Sequence, residues 1–476
     1  MRLTMWKLQR PANTGAGPAA GKPAPAPAPA GAGRAPAGAA SAEQARAREA
    51  NDRMLALKVK IHQQLLDRIN LAALEKMTRE QIAAETSELI TEILDDSGEA
   101  INRGERMELS NDVLDELLGL GPLEPLLKDE SITDILVNGC NSVFVERHGL
   151  LEKAATRFQD ERHLLRIIQK IVSAIGRRVD ESSPFVDARL ADGSRVNAIV
   201  PPLAIDGSLL SIRKFSKRPI SMDRMIELGT ISEKMAPLLQ AAVKARRNII
   251  ISGGTGSGKT TLLNALSSYI DGRERIVTIE DSAELQLQQD HVARLETRPP
   301  NIEGKGEVTQ RDLVKNALRM RPDRIILGEC RGGETFDMLQ AMNTGHDGSM
   351  TTVHANTPRD AISRIEQMIG MSGIDMPTAS ARSQIASAVD VVIQVGRLSD
   401  GKRKVVSFSE VVGMEGDVVT MQEIFRFRTT GRDEDGNVLG QFEALGIRPK
   451  FMPELEARGI HLDPEIFRPT LNVGQS

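Results

Sequence analysis

The chain has 476 residues, enough for two or three domains with a deeply buried core, so a peptide hormone, toxin or disulfide-stapled miniprotein is excluded. Hydrophobic residues make up 40% and charged residues 26% of the chain, which is typical of a globular protein. The formal net charge is -4, from 61 Lys and Arg against 65 Asp and Glu, so nothing in the overall charge favours direct binding to nucleic acid.

The cysteines and the apolar segments indicate where the protein works. Cys140 and Cys330 lie far apart in no CxxC or Cys/His pattern, which argues against a disulfide framework and a zinc site. No run approaches the roughly 18 consecutive apolar residues of a membrane span, and the first residues lack the apolar stretch of a secretory signal. We therefore expect a soluble protein in the reducing cytosol.

The first 40 residues are predicted to be a disordered tether. Between positions 11 and 40, 26 of 30 residues are Pro, Ala or Gly, which have too little apolar bulk to offset the entropy lost on ordering. The first 50 residues carry seven Lys or Arg against two Glu. Such a charge could touch acidic lipid headgroups, but a solvated tail explains it more simply.

Residues 41–118 are predicted to form a small helical bundle. Capping-box sequences at Ser41 and at Thr78–Gln81 mark two helix starts, and a third apolar cluster runs from Val113 to Leu118 before Gly119. Apolar residues in the first two segments recur at helical spacing, at Met54, Leu57, Ile61, Leu65, Ile69, Ile82, Leu89 and Ile93. Nothing in these segments points to catalysis.

Residues 119–218 are predicted to form an α+β domain. Short β-type runs, ITDILVNG and VFVER, precede a helical pattern from His163 to Ile175, and VDARL, RVNAIVPP and LLSIRKF follow. A proline at SKRPIS, residues 216–221, marks a linker. From residue 219 to 476, the apolar runs NIIISG, RIVTIED, RIILGEC, GSMTTVHA and VVIQVG alternate with helical patterns. That alternation predicts an α/β domain with a largely parallel sheet covered on both faces.

The segment GGTGSGKTT, Gly253 to Thr261, has the composition and position of a phosphate-binding loop. It follows an apolar strand and opens a helical pattern, so its glycines can turn backbone N–H groups toward anionic oxygens at a helix N-terminus. Lys259 is predicted to reach the β- and γ-phosphates of ATP, and Thr260 to ligate Mg²⁺. The predicted nucleotide-binding residues are Gly254, Thr255, Gly256, Ser257, Gly258, Lys259, Thr260 and Thr261.

Three further segments carry candidate catalytic groups. The strand RIILGE ends at Glu329, a position from which a carboxylate can hold the Mg²⁺ water shell. The segment TIEDSAEL offers Glu280, Asp281 and Glu284, one of which could polarise water, although acids at a helix start also have a purely electrostatic explanation. His354, with His346, lies in TGHDGSMTTVHANTP; spacing does not distinguish a phosphate contact from a structural histidine.

Taken in order, GGTGSGKTT, TIEDSAEL, IILGECRGGE and GHDGSMTTVHANTP resemble the Walker A, Asp box, Walker B and His box of secretion ATPases. The upstream segments GLGPLEPLLKDESITDILVNG and SIRKF are similar to those of the TadA/CpaF branch, which drives tight-adherence (Tad) pili. The resemblance covers roughly Leu117 to Gly413. It implies a PAS-like N-terminal domain joined to a RecA-like ATPase domain. It also implies a homohexamer at the cytoplasmic face of the inner membrane, held there through platform proteins of the pilus machinery.

The resemblance also implies roles for single residues. Glu284 matches the catalytic glutamate, Glu329 the Walker B acid, and His354 the residue that senses the γ-phosphate. Arg195 and Arg213 fall where the family's N-terminal domain supplies arginines to the nucleotide, and Arg189 is a weaker candidate. From the residues alone, these arginines could equally be surface charges on strands.

Functions of other classes are weighed against this motor. A small-molecule kinase would need an acceptor pocket and a lid, for which no sequence signal exists, and 3% aromatic residues leave a helicase few platforms for stacking bases. A scaffold that binds ATP without hydrolysing it would require an idle Glu284. Within the family, type IV secretion ATPases that export effectors or DNA share all four boxes and are the alternative to the pilus motor.

Overall fold

The computed structural model describes residues 79–97, 101–147, 149–215, 219–300 and 304–469, together with five helical residues between positions 57 and 65. The chain divides into two compact units, Met1–Ile69 and Asn70–Ser476. In the first unit, Leu57, Ile61 and Leu65 repeat every four positions on a helix and are buried, as the periodicity predicts. The predicted tether, the Ser41 cap and Thr78 lie outside the described residues.

The second unit begins with two helices, α1 (Arg79–Ser97) and α2 (Arg103–Leu118). Helix α2 starts with a capping box, in which the Asn102 side chain accepts from the backbone N–H of Glu105 and the Glu105 carboxylate accepts from that of Asn102. It ends at Leu118, directly before Gly119, where the sequence predicts its end.

A six-stranded antiparallel sheet follows, with the strand order β3-β2-β1-β6-β5-β4. A short helix, α3, precedes the sheet, and helix α4 packs apolar side chains, including Leu164 and Ile168, into the core beside it. The predicted start of α4 at His163 is two residues late because the Asp160 side chain accepts from His163 N–H and caps the helix. These elements are α3 (Glu124–Lys128), β1 (Ile132–Asn138), β2 (Val143–Arg147), β3 (Leu150–Lys153), α4 (Glu161–Ser173), β4 (Phe185–Arg189), β5 (Arg195–Ile199) and β6 (Leu209–Arg213).

A nine-stranded mixed sheet forms the core of the remaining chain, in the order β15-β14-β13-β12-β7-β11-β10-β8-β9. Six neighbouring strands, from β12 to β9, are parallel, which confirms the largely parallel sheet. All five residues of β7 and of β8 are buried, as expected for strands covered on both faces. The strands are β7 (Ile249–Gly253), β8 (Ile276–Glu280), β9 (Val292–Glu296), β10 (Arg324–Cys330), β11 (Met350–Val353), β12 (Val391–Arg397), β13 (Arg403–Glu415), β14 (Val418–Arg432) and β15 (Val438–Ala444).

Helices cover both faces of this sheet. One face packs against helices α6 and α7 and the C-terminal segment, and the opposite face packs against α8 to α11. The helices are α5 (Met222–Glu227), α6 (Met235–Lys244), α7 (Lys259–Ser267), α8 (Gln310–Ala317), α9 (Glu334–Asn343), α10 (Pro358–Gly370), α11 (Thr378–Ala388) and α12 (Met452–Ala457). The α/β class predicted from the sequence is confirmed. Within the described residues, no helix combines the length and the apolar character needed to cross a membrane.

The chain after β12, for which no strands were predicted, extends the large sheet. Strands β13, β14 and β15 add to the β12 edge as antiparallel neighbours. Because each is joined to the next by a tight turn, they can pair without a crossover helix. The residues after β12 therefore continue the large sheet rather than forming a separate body.

Candidate functional site

The predicted phosphate loop, residues 253–261, runs from the end of β7 into the first turn of α7. Gly256 and Gly258 have φ values of 67° and 97°, in the left-handed region that side-chain-bearing residues rarely adopt. Gly258 is the N-cap of α7, so the helix begins at Lys259 with its N-terminal N–H groups at the loop. The backbone therefore turns as an anion-binding loop requires.

The loop is tightly packed on one side and open on the other. A Cβ atom at Gly253 would overlap the Val395 carbonyl oxygen and approach Ser257 Oγ to 2.6 Å, so the loop base fits against β12. A Cβ atom at Gly254 would meet no atom within 4 Å. Ser257 Oγ closes the turn by donating to the Gly254 carbonyl at 2.9 Å. The open side leaves space for a ligand next to backbone N–H groups.

Lys259 places its ammonium at the mouth of the loop. Nζ donates to the carbonyls of Gly253 and Gly254 at 3.1 and 3.0 Å, and it lies 3.1 Å from His354 Nε2. Burial lowers the pKa of Lys259, although the nearby Glu329 carboxylate opposes that shift. Because an ammonium only donates, this contact is a hydrogen bond when His354 Nε2 carries no proton. The phosphate loop, Lys259 and His354 are therefore in direct contact.

Glu329, at the end of β10, joins this group to the Asp box. Its Oε1 lies 3.5 Å from His354 Nε2, and its Oε2 accepts from Arg331 Nη2 at 2.9 Å. Arg331 Nη1 lies 3.3 Å from Asp281 Oδ2. Arg331 thus links Glu329 to Asp281 of the Asp box, a role that was not predicted. The only sequence signal for it was its position within the segment IILGECRGGE.

The acids of the Asp box occupy different environments. Glu280 is buried, and its Oε2 accepts from the backbone N–H groups of Glu284 and Leu285 at 2.6 and 2.9 Å. Burial raises the pKa of Glu280, partly offset by those two hydrogen bonds. The Glu284 side chain is 29% exposed, so a water molecule can reach it. This difference favours Glu284 over Glu280 as the base, and Glu280 holds the backbone that carries Glu284.

Arginines of the six-stranded sheet meet the acids of the large sheet. Arg195 Nη1 contacts Glu284 Oε1 at 2.5 Å, and Arg189 Nη1 contacts Glu296 Oε2 at 2.8 Å. Arg213 instead pairs within its own sheet, with Asp134 at 3.1 Å, and its side chain is 62% exposed. A cavity of about 1050 Å³ lies between these arginines and the Asp box, and residues of both sheets line it. The structure therefore brings Arg195 to Glu284 but leaves Arg213 free of the phosphate loop.

The donor set around the loop fits Mg²⁺ bound together with a nucleotide. Among the described residues, no group of three or more His, Cys, Asp or Glu side chains could hold a metal ion alone. Mg²⁺ commonly takes one or two protein oxygens and completes its shell with phosphates and water. Thr260, the second residue of α7, and Glu329 on β10 offer such oxygens.

The β12–β13 hairpin supplies a further contact that was not predicted. Arg403 Nε donates to the Gly256 carbonyl at 2.9 Å, and a Cβ at Gly258 would lie 3.3 Å from Arg403 Cδ. In the sequence, Arg403 belongs to the turn GRLSDGKRK, whose charges suggest only a solvated loop. Only the folded sheet places this side chain against the phosphate loop.

Comparison with known proteins identifies relatives over most of this architecture. The family model described as Type II/IV secretion system protein matches residues 116–432. A Mycobacterium tuberculosis protein whose name assigns it provisionally to conjugal transfer is 41% identical, over 64% of this chain and 87% of its own length. The type IV secretion system protein VirB11 of Bartonella quintana is 31% identical, over 63% and 94%. The crystal structure of the VirB11 ATPase of Brucella suis is 30% identical over 61% of this chain and 92% of that chain, with a TM-score of 0.33.

Proposed function

We propose that this chain, which belongs to the Type II/IV secretion system protein family and is an ATPase, is the motor that assembles a Tad-type pilus. ATP and Mg²⁺ would bind at the phosphate loop, and hydrolysis would move the six-stranded sheet relative to the nine-stranded sheet. The pilus assignment is supported by the segments GLGPLEPLL and SIRKF.

The contact between Arg195 and Glu284 is the observation that carries the proposal. It joins the predicted general base on one sheet to a guanidinium on the other at 2.5 Å, across a half-exposed interface. A change in charge at this point therefore acts on the reaction and on the orientation of the two sheets at once. Binding energy that differs between two arrangements is what a motor requires.

The site residues divide the hydrolysis chemistry between them. Lys259 and the α7 N-terminus would hold the phosphates, and His354 beside Lys259 would contact the γ-phosphate. Glu284 would accept a proton from the attacking water through the oxygen not engaged by Arg195. Bound Mg²⁺, held by Thr260 and through water by Glu329, would neutralise charge on the β- and γ-phosphates. Arg331 would hold the carboxylates of Glu329 and Asp281 at a fixed separation.

The assembly that would use this chemistry is a homohexameric ring working with inner-membrane platform proteins. In a head-to-tail ring, each nucleotide lies beside a neighbouring chain. Arg213, exposed and paired only with Asp134 in the described contacts, would then be available to reach a nucleotide on domain closure, its own or the neighbour's. The ring would stay at the cytoplasmic face of the membrane through its partners, without direct binding to nucleic acid.

A second candidate is the ATPase of a type IV secretion system that exports effectors or DNA. The names of the Mycobacterium and Bartonella relatives, which refer to conjugal transfer and to type IV secretion, favour it. The four sequence boxes fit both candidates equally, because both need the same phosphate chemistry.

Deletion of the gene separates the two candidates. We expect the deletion strain to lose surface pili while secretion of soluble proteins and transfer of DNA continue, and the wild-type gene to restore the pili. Complementation with Lys259→Ala should fail, whereas Lys315→Ala, which removes an exposed lysine of α8, should restore them. Normal pili together with lost transfer would favour the second candidate.

A further inference from the structure

The β12–β13 hairpin lies along the whole phosphate loop. Gly253 on β7 pairs in register with Val395 on β12, and the Val395 carbonyl leaves no space for a side chain at Gly253. At the other end of the loop, Arg403 Nε hydrogen-bonds to Gly256. The base and the apex of the loop are therefore both in contact with one hairpin.

Arg397, the last residue of β12, pairs across the hairpin with Arg403 but reaches two places. Its Nη2 donates to the Gly149 carbonyl at 2.7 Å, and its Nη1 lies 3.6 Å from where a Cβ at Gly256 would be. Gly149 belongs to the turn between β2 and β3, at the edge of the six-stranded sheet. One guanidinium thus lies between the apex of the phosphate loop and the N-terminal domain.

The hydrogen bond from Arg397 to Gly149 is better suited to coupling the phosphate loop to the N-terminal domain than to stabilising the fold. Arg397 is exposed, so a single hydrogen bond from it contributes little to the free energy of unfolding. A planar guanidinium, however, presents nitrogens in two directions, so Nη1 faces Gly256 while Nη2 is hydrogen-bonded to Gly149. A displacement of the loop apex toward Nη1 would therefore press on the guanidinium that bonds the β2–β3 turn.

We infer that Arg397 is a positioning residue that transmits the state of the phosphate loop to the N-terminal domain. This inference rests on the proposed motor, in which the two sheets move relative to each other. The route is separate from Arg195 and Glu284, because it runs through the loop backbone and the β2–β3 turn rather than through the Asp box.

Arg397→Gln tests the inference in the full-length protein. We expect the KM for ATP to stay within about threefold while kcat falls roughly tenfold, the scale of a typical coupling between two sites. Hydrogen exchange of the amides in residues 149–153 gives the direct readout, measured with and without a non-hydrolysable ATP analogue. In the wild type the analogue should change that exchange, and in Arg397→Gln the change should disappear although the analogue still binds.

Arg403→Gln is the matched control, since it removes the guanidinium opposite Arg397, whose hydrogen bond in the described chain goes to the loop alone. It should weaken analogue binding yet keep the exchange response of residues 149–153 at saturation. Arg397→Lys should fail to restore the response, because an ammonium on a flexible stem cannot bond Gly149 and at the same time present a second nitrogen to Gly256.

Three results would overturn the inference: an unchanged response in Arg397→Gln, equal loss of response in Arg403→Gln, or a wild type without any response. None of them depends on which machine the ATPase serves, so a failure of the pilus assignment would leave this measurement interpretable. Conversely, a strain that loses pili on gene deletion would still reveal nothing about Arg397.

Discussion

The phosphate loop is built from contacts between residues close in the sequence, whereas the interface between the two sheets is built from contacts between distant residues. The loop is one continuous stretch in which Lys259 is 8% exposed and contacts carbonyls only five and six positions away. The interface pairs residues 89 positions apart, Arg195 and Glu284, and both side chains are partly exposed. In the proposed motor, nucleotide binding would therefore reside in one local segment, whereas its mechanical use would depend on contacts between residues far apart in the chain.

Lys259→Ala should have the largest effect and tests the loop side of the comparison. The change removes the charge predicted to face two phosphates, so turnover should fall by orders of magnitude while the fold persists. Phosphate release by the purified variant measures turnover, and circular dichroism checks the fold. Wild-type turnover would contradict the assignment of the loop.

Arg213→Ala tests the interface side. If Arg213 stabilises developing charge on domain closure, the variant should bind ATP almost normally but lose roughly 10³-fold in turnover, the magnitude of an arginine finger. Arg213→Lys should not rescue it, because a point charge cannot reproduce the planar fork. Near-normal turnover of Arg213→Ala would remove this residue from the catalytic set and leave Arg195 as the interface arginine.

If the chain assembles into the proposed ring, mixed rings would show in which subunit Arg213 acts. Glu284→Gln and Arg213→Ala chains would be combined under conditions in which rings exchange subunits. Recovered turnover would mean that an intact Glu284 and an intact Arg213 from neighbouring chains complete one site. No recovery in rings proven to be mixed would place both residues in the same chain.

Glu284→Gln tests the point where loop and interface meet, with an expected loss of about 10² to 10⁴ in turnover, the range for general-base catalysis. The glutamine keeps size and a hydrogen bond to Arg195 but cannot accept a proton, so ATP should still bind. Glu280→Gln is the matched comparison, because its amide oxygen can still accept from the backbone of Glu284 and Leu285. Greater loss in Glu280→Gln than in Glu284→Gln would show that the base was misassigned.

Removal of residues 1–40 should have the smallest effect, since these residues belong to neither region. Their composition predicts sharp, poorly dispersed amide NMR signals, and the truncated protein should hydrolyse ATP within about twofold of the full-length rate. A truncated protein that no longer turns over ATP would make this segment part of the working assembly.

The sequence predicted well those helices and strands whose formation depends on residues close together in the chain. The helix after the phosphate loop and the end of α2 at Leu118 follow from glycine conformations and apolar spacing within a few residues. The parallel strands follow from continuous apolar runs that only a doubly covered sheet can bury. By contrast, β14 and β15 were missed because half-exposed antiparallel strands carry a weaker signal than buried ones. Strand β13 was missed because Ser407, Ser409 and Glu410 interrupt the apolar character of its buried run.

By itself, therefore, the sequence determined the α/β class, the phosphate loop and the candidate acids, because dihedral freedom, charge and apolar periodicity are properties of neighbouring residues. Only the tertiary structure decided between Glu280 and Glu284 as the exposed acid, paired Arg195 rather than Arg213 with it, and placed Arg331, Arg397 and Arg403 at the site. The physical reason is that burial and ion pairing depend on which strands become neighbours, and sheet order joins residues that the chain keeps far apart.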